Sequence, residues 1–456
     1  MTRSGRGSCI CILTRYPRLG EVKTRLVPPL SCAEALALHD RLARHTLRRA
    51  LALSASGDAR VEVRTDAAFH RVAHDWLGGG FSSRYQGEGD LGDRIRLSFG
   101  DAFGRGAGRV AVIGSDCPRL SSAILREAFA RLEKVDMVLG PATDGGYYLV
   151  ALRRDSAKRS VPVLFSKVPW STADVLARTI EIADEHGLSY ALLEELPDVD
   201  RPEDVADAEA VLAACTPTPD SRVSVVVPAL DDAGCVADAV ASGLAAGADE
   251  VVVVDGGSRD ETRAVAASAG ARVLESATGR ARQMNAGAKT AIGGVLVFLH
   301  ADTTLPPHAC DLARAALARP GVVAGAFGFA VPSEAHHSRL INTIGRWRAR
   351  LSGRPYGDQA LFLSACTFTD LDGFPDLPTM EDLELVTRLK RVGKVVVLDE
   401  PAVTSARAWE AHGLIATTAI NKVSISAYHL GVDPERIAGW RARISTRAYC
   451  EHDSRD

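Results

Sequence analysis

Residues 223–229 read VSVVVPA and residues 250–256 read EVVVVDG, runs in which polar and apolar residues do not alternate. A strand so uniformly apolar has to be covered on both faces, and the interior of a parallel sheet flanked by helices provides that cover. Similar runs recur at ARVLES (271–276), VLVFLHAD (295–302), VAGAFGF (323–329) and KVVVLDE (394–400). In the first half they occur at CICIL (9–13), ARVEVRT (59–65), RVAVIGSD (109–116) and DMVLGPA (136–142). Ala/Leu/Arg-rich stretches of helical spacing separate them, notably 259–269, 279–292, 307–319 and 381–392. Ser31 with Glu34 forms a capping box that opens a helix to about Leu53. The alternation predicts βαβ units around mostly parallel sheets.

A chain of 456 residues exceeds one ordinary core. The segment TPTPDS (216–221) has two prolines and no large apolar residue, so it reads as a linker between domains at 1–215 and 222–456. The halves share a plan without visible sequence identity, a weak duplication of architecture. Net charge is −3, which leaves no basic field for a nucleic-acid partner. The nine cysteines form no C-x-x-C pair, and Cys9 and Cys11 read most simply as small buried hydrophobes of a reduced, cytoplasmic chain. Too few apolar residues precede Arg15 for a signal peptide, and residues 414–432 contain Asn421, Lys422 and His429 and fall short of a membrane span. That stretch fits either packing against the domain or an amphipathic helix making peripheral membrane contact.

Two apolar runs end alike: VFLHADTTLP (297–306) stops at Asp302 and VAVIGSDCPRL (110–120) at Asp116, each with proline behind it. In open parallel sheets ligands bind beyond the carboxyl ends of the strands, where these two acids lie. In the second half, VVVVDGGSRDET places Asp255 before a glycine pair that permits close backbone approach. GRARQMNAGAKTA places Arg280 and Arg282 at a helix start, where charge and free N–H groups favour a diphosphate. Mg²⁺ binds through one or two carboxylates plus phosphate oxygens, so a single strand-end aspartate suffices. Together these make a nucleotide-diphosphate site.

These stretches, with YGDQALFL (356–363), TMEDLELVTRLKRVG (379–393) and SARAWE (405–410), resemble the family 2 glycosyltransferases of GT-A fold, particularly the radical-SAM/selenodomain-associated transferase 2 group. The resemblance covers about 222–435. It implies inverting transfer from a UDP-, GDP- or dTDP-linked sugar to an unknown hydroxyl acceptor, a lipid or a small molecule, with Mg²⁺ or Mn²⁺. It further implies that Asp302 holds the metal, that Asp255 contacts the nucleoside, and that Gly256, Ser258, Arg280, Arg282, Asn285, Arg407 and Trp409 surround the donor. The Glu381-Asp382 pair is then catalytic, Asp382 removing the acceptor proton. Departures are Gly256 in place of a second aspartate, His300-Ala301-Asp302 in place of D-x-D, and Ala408 in place of a second arginine. Other readings stay open: Thr379 and Asp382 fit a capping box, Asp255 a turn, His300 a strand-end histidine, and Trp409 either core or sugar stacking.

In the first half, TRYPRLGEVKTRL (14–26) carries Arg15, Lys23 and Arg25 around a glycine, which fits a triphosphate cradle or a solvated basic turn. PATDGGYYLVAL (141–152) puts Asp144 before Gly145, Gly146 and two tyrosines, an acid and aromatics suited to a sugar-like ligand. DVDRPEDV (198–205) supplies Asp198 and Asp200, the latter also a good helix start. With VPWST (168–172) these stretches resemble the DUF2064, or transferase 1, family, which is similar to the guanylyltransferases of the cofactor-F420 pathway and to molybdenum-cofactor nucleotidyltransferases. That resemblance spans about 9–212 and implies Mg²⁺ on Asp116 and Asp200, with Lys23 and Arg25 neutralising phosphate. Where the broader fold has a glycine-rich loop, this chain has Leu13-Thr14-Arg15-Tyr16-Pro17. The expectation is an α/β protein of two tandem GT-A-like, Rossmann-like domains: a bifunctional transferase whose first half makes a sugar nucleotide that the second transfers. The alternatives are a protein that is mainly a nucleotidyltransferase, and a first half that senses nucleotides or acts as a scaffold.

Overall fold

The computed structural model describes residues 7–67, 70–166, 168–332, 355, 359–405 and 414–452. The chain divides into two compact units, Met1–Ala214 and Cys215–Asp456.

The first unit has strands β1 Ser8–Leu13, β2 Ala59–Thr65, β3 Ser82–Tyr85, β4 Arg109–Ile113, β5 Met137–Pro141, β6 Tyr147–Arg153 and β7 Tyr190–Leu192. Their order is β3-β2-β1-β4-β6-β5-β7. Only β6 runs against its neighbours, β4 and β5. The Ser31–Glu34 capping box forms as the sequence predicts and opens the helix Cys32–Ala55. Tyr147 and Tyr148, read from sequence as ligand aromatics, belong to β6. Tyr148 is buried and donates to the Glu194 carbonyl at 3.0 Å, while Tyr147 meets Trp170 edge-on. Cys9 and Cys11 are buried as expected, but their neighbourhood is ionic rather than purely apolar. Register places Cys11 beside Glu62, which accepts from Arg64 at 3.2 Å and Arg105 at 2.6 Å.

The second unit has strands β8 Val223–Ala229, β9 Glu250–Asp255, β10 Arg272–Glu275, β11 Val295–Phe298, β12 Thr303–Thr304, β13 Val322–Ala330, β14 Leu361–Ser364 and β15 Lys394–Thr404, ordered β10-β9-β8-β11-β14-β13-β15-β12. The half centred on β8 is parallel, and β14 reverses between β11 and β13. Every residue of β8 is buried, as its unbroken apolar run requires. Val225, Val227, Val251, Val253 and Val297 form one core with Val236, Ala239, Ala309 and Ala313 of the covering helices. The structure ends β11 at Phe298 and β4 at Ile113, so Asp302 and Asp116 stand in loops beyond their strands rather than on the last strand residue. Cys215 and Cys366 form a disulfide, which departs from the fully reduced chain that cysteine spacing suggests. Their 151-residue separation hides the pair from any local motif. Among the described residues no helix is long and apolar enough to cross a membrane.

Helix Arg280–Thr290 lies on β8 and β9 at Gly287, where an added Cβ would stand 2.4 Å from Val226 Cγ1 and 2.9 Å from Val254 Cγ2. Gly287→Val is expected to lower unfolding stability by about 1–3 kcal/mol through overpacking, which outweighs any gain in helix propensity. Urea denaturation of the full-length protein measures it.

Candidate functional site

In the second unit the site begins where β8 and β9 end together, Ala229 opposite Asp255. Asp255 is fully buried. Its carboxylate accepts the N–H of Gly257 at 3.0 Å and of Ser258 at 3.1 Å, and also the Ser258 hydroxyl. Gly257 has φ +99°, a conformation this closure needs and L side chains resist. In this structure Asp255 therefore shapes the loop, as the turn reading proposed, and Ser258 and Gly256 belong to the same loop. Gln283 from the adjoining helix donates from Nε2 to the carbonyls of Ala229 and Val254, both at 2.8 Å, and so ties the two strand ends together. Gly256 leaves room for it, since a Cβ there would come within 3.0 Å of the Gln283 amide. Sequence reasoning missed Gln283 because a mid-helix glutamine carries no distinguishing signal.

Of the helix residues expected at a donor diphosphate, the structure turns only Arg280 toward the carboxylates, with Nε 3.4 Å from Glu381 Oε1. Arg282 forms a forked pair with Asp376 at 2.9 and 3.1 Å, and that carboxylate holds the guanidinium above its ordinary range. Asn285 clamps the backbone of Phe374 from both sides, donating to its carbonyl at 2.8 Å and accepting its N–H at 2.9 Å. In this structure Arg282 and Asn285 support the 373–376 loop. A single helix presents different faces to different partners, which local spacing does not resolve.

Beyond β11, Asp302 is half-buried and its carbonyl accepts from the Ser405 N–H at 3.0 Å. The imidazole of His300 is pushed down to about 4, first by burial and then by the Arg280 charge, with Asp302 and Asp382 opposing. Arg280, His300, Asp302 and Asp382 therefore share one electrostatic neighbourhood, assembled from three separate stretches. Asp382 is half-buried in the first turn of helix Glu381–Val392, and its Oδ1 accepts the Leu383 N–H at 2.7 Å. The capping box expected from Thr379 does not form: the cap is Met380, at φ +68°, with no side-chain cap bond. Glu381 is buried, which raises its carboxyl. Arg280 opposes that rise and Asp382 adds to it. Gln359, within the YGDQ stretch, is buried and donates to the Phe327 carbonyl at 3.0 Å. Arg407, Trp409, His336 and His337 lie outside the described residues.

In the first unit the sheet order changes direction between β1 and β4, and there Thr14 Oγ1 and Ser115 Oγ meet at 2.9 Å. Lys23, at φ +48°, donates from Nζ to the Val199 carbonyl at 2.6 Å and to Asp116 Oδ2 at 3.1 Å. Arg25 donates to Asp200 at 2.7 Å, whereas Arg15 donates to the Glu21 carbonyl of its own loop at 3.1 Å. Burial raises the Asp116 carboxyl, but Lys23 and His39 bring it below the usual range. The carboxylates that come within reach of one ion are Asp144, Asp198 and Asp200, with ligand oxygens all within 4.8 Å of one another. Among the described residues Asp144 and Asp198 join Asp200 in this cluster, while Lys23 bridges Asp116 and Asp200 at 3.1 and 3.8 Å. Burial, followed by the charges of Asp144 and Asp200, pushes Asp198 up to about 6. Gly145, at φ +88°, packs where a Cβ would stand 2.1 Å from the Ala173 carbonyl oxygen, and the Gly146 N–H donates to Asp144 Oδ1 at 2.8 Å. The glycine pair thus folds the loop that presents Asp144.

With this geometry in hand, two family models match parts of the chain. Residues 224–368 match the model described as Glycosyl transferase family 2, and residues 42–172 match that of an uncharacterized protein conserved in bacteria, DUF2064. No curated protein matches the chain. Similar solved structures include a putative nucleotide-diphospho-sugar transferase from Desulfovibrio desulfuricans G20, at 26% identity and TM-score 0.40, covering 46% of this chain and 97% of that one. Another is S. aureus TarS in complex with UDP, at 20% and 0.32, covering 40% and 60%. A third is Mycobacterium tuberculosis glucosyl-3-phosphoglycerate synthase with Mn²⁺, UDP and phosphoglyceric acid, at 20% and 0.31, covering 41% and 71%. The chain spans less than two thirds of TarS as that structure contains it.

His45 anchors the loop after Asp116 by donating from Nε2 to the Pro118 carbonyl at 2.9 Å, and burial holds its imidazole down to about 3. An unfolded chain protonates this histidine near 6.5, so between those values the unfolded state binds more protons and stability falls as pH drops. From pH 7 to pH 5 the loss attributable to His45 is expected to be about 2 kcal/mol. His45→Gln should flatten that part of the slope in urea unfolding measured at both pH values.

Proposed function

We propose that the second unit transfers a sugar from a nucleotide-diphospho-sugar to an acceptor hydroxyl, inverting the anomeric carbon. The supporting observation is the gathering of Arg280, His300, Asp302 and Asp382 beyond the carboxyl ends of its parallel strands, within and beside the stretch that matches the glycosyltransferase model. Asp302 is assigned to a divalent cation, Mg²⁺ or Mn²⁺. A half-buried carboxylate in a strand-end loop, beside an imidazole held neutral, fits such an ion. Bound there, the ion would neutralise charge on a leaving diphosphate. Asp382 takes the acceptor proton as the acceptor oxygen bonds to the anomeric carbon. The bond from that carbon to the diphosphate oxygen breaks, and its electron pair departs with the nucleoside diphosphate. Glu381, buried and paired with Arg280, orients that arginine toward the donor phosphates.

For the first unit we propose nucleotidyl transfer: a sugar 1-phosphate oxygen attacks the α-phosphorus of an NTP, the bond to the β-phosphate breaks, and pyrophosphate leaves. The Asp144, Asp198 and Asp200 cluster supports a cation site, and Lys23 and Arg25 stand beside it to meet phosphate. The donor of the second reaction would then be the product of the first.

A screen of UDP-, GDP- and dTDP-sugars with Mg²⁺ or Mn²⁺ tests the first assignment. Asp382→Asn should lower turnover about 10²–10⁴-fold, and Asp302→Ala should remove the gain in nucleoside diphosphate affinity that Mn²⁺ confers, read by calorimetry. Turnover unchanged in both variants, and indifferent to chelator, would overturn it. The second assignment expects full-length Asp382→Asn to keep NTP-dependent pyrophosphate release from a sugar 1-phosphate panel, and Asp198→Asn to lose it. Nucleotide-dependent thermal shifts with no turnover would instead make the first unit a sensor.

A further inference from the structure

The C-terminal helices Leu414–His429 and Pro434–His452 are absent from the site as the sequence describes it, yet they pack directly on its catalytic helix. Ile437 is fully buried against Met380 and Leu383, the residues that flank Glu381 and Asp382 on either side. Tyr428 fastens the other helix to the same element, donating its hydroxyl to Glu384 at 2.8 Å. Arg441 follows Ile437 by four residues, about one helical turn, so it lies on the helix face that Ile437 turns toward the carboxylate pair.

Arg441 is half-buried, and among the described residues its hydrogen-bond partner is Asn421, whose Oδ1 accepts from Nη1 at 3.1 Å. A guanidinium has five N–H donors, so one bond on one edge leaves most of its capacity for a ligand. Burial, and then the charge of Arg280, lower this arginine from its ordinary range, while Asp382 and Glu381 pull the other way. Two arginines from distant parts of the chain thus share one electrostatic neighbourhood with the carboxylate pair. Planar guanidinium forks match phosphate oxygens.

We propose that Arg441 is a phosphate-binding residue of the transfer site, supplied by the C-terminal helix to act with Arg280 on the donor diphosphate or on a phosphate carried by the acceptor. The inference rests on the glycosyl-transfer reading of this site and adds to it a residue outside the stretch that matches the glycosyltransferase model. It also gives the terminal helices a part in completing the site.

The test uses the full-length protein and the variants Arg441→Gln and Arg441→Lys. Calorimetry with UDP, GDP and dTDP, each with Mn²⁺ and each compared with its monophosphate, reads binding, and the sugar-nucleotide screen reads kcat and KM separately. A diphosphate contact predicts affinity for the preferred diphosphate at least about 10-fold weaker in Arg441→Gln, little change for the monophosphate, and partial recovery in Arg441→Lys. An acceptor contact predicts unchanged diphosphate affinity with a KM raised by a similar factor for a phosphorylated acceptor alone. Ile437→Ala, which loosens the helix, should reproduce the loss together with a lower Tm. Should Arg441→Gln lower Tm as much as Ile437→Ala, Arg441→Lys decides: full folding with diphosphate affinity and KM unchanged refutes the proposal. Arg441→Gln that folds normally and matches wild type in both also overturns it. If Asp302→Ala and Asp382→Asn lose function while Arg441→Gln does not, this inference alone fails. If wild type binds no nucleoside diphosphate, the transfer reading fails with it.

Discussion

The amide of Gln283 is the interaction on which the second unit's site depends. Its two N–H bonds reach the Ala229 and Val254 carbonyls at the ends of two adjacent strands, and the Ala229 carbonyl also accepts the Gly256 N–H at 2.9 Å. Buried carbonyls without partners cost free energy, so this side chain satisfies the strand ends while fixing the helix that presents Arg280. Asp255 does the equivalent on the loop side by accepting the Gly257 and Ser258 N–H groups. Together they make a rigid floor of polar bonds under a parallel core, and the reactive side chains stand on its rim.

Above that floor the charges are arranged around a deficit of counter-charge. In the second unit Arg280 meets the buried Glu381 while Asp382 and Asp302 remain half-buried nearby. In the first, three carboxylates crowd at Asp144, Asp198 and Asp200, while Lys23 and Arg25 hold Asp116 and Asp200 from the other side. Each arrangement leaves like charges closer than water-separated groups would settle, the condition under which a cation or phosphate gains most from binding. In the first unit Lys23 and Asp116 follow β1 and β4, between which the strand order changes direction, while Asp144 comes from the β5–β6 turn and Asp198 and Asp200 from the segment after β7.

Much of this was legible in the residues. Unbroken valine runs predicted β8 and β9 as fully covered strands, and the Ser31–Glu34 pair marked a helix start that the structure reproduces. Asp302, Asp116 and Asp144 stand out by position, and the Glu381-Asp382 pair through the family resemblance. What was not legible has a common cause. That YYLVALR forms the reversed strand β6 depends on its pairing with β4 and β5, which no local pattern states. The pairing of Arg282 with Asp376 joins residues 94 apart in the sequence.

The sequence by itself determined the fully covered strands and the long helices, and that acids and arginines cluster at their ends. Periodicity, turn residues and caps act over a few residues and are written locally. The tertiary structure alone decided which of those charges meet. Arg280 faces Glu381 while Arg282 faces away, Asp198 joins Asp144, and the last helix brings Arg441 to the carboxylate pair. Electrostatic and hydrogen-bond partners are chosen by distance in space, and that distance is set by how helices seat on a buried sheet.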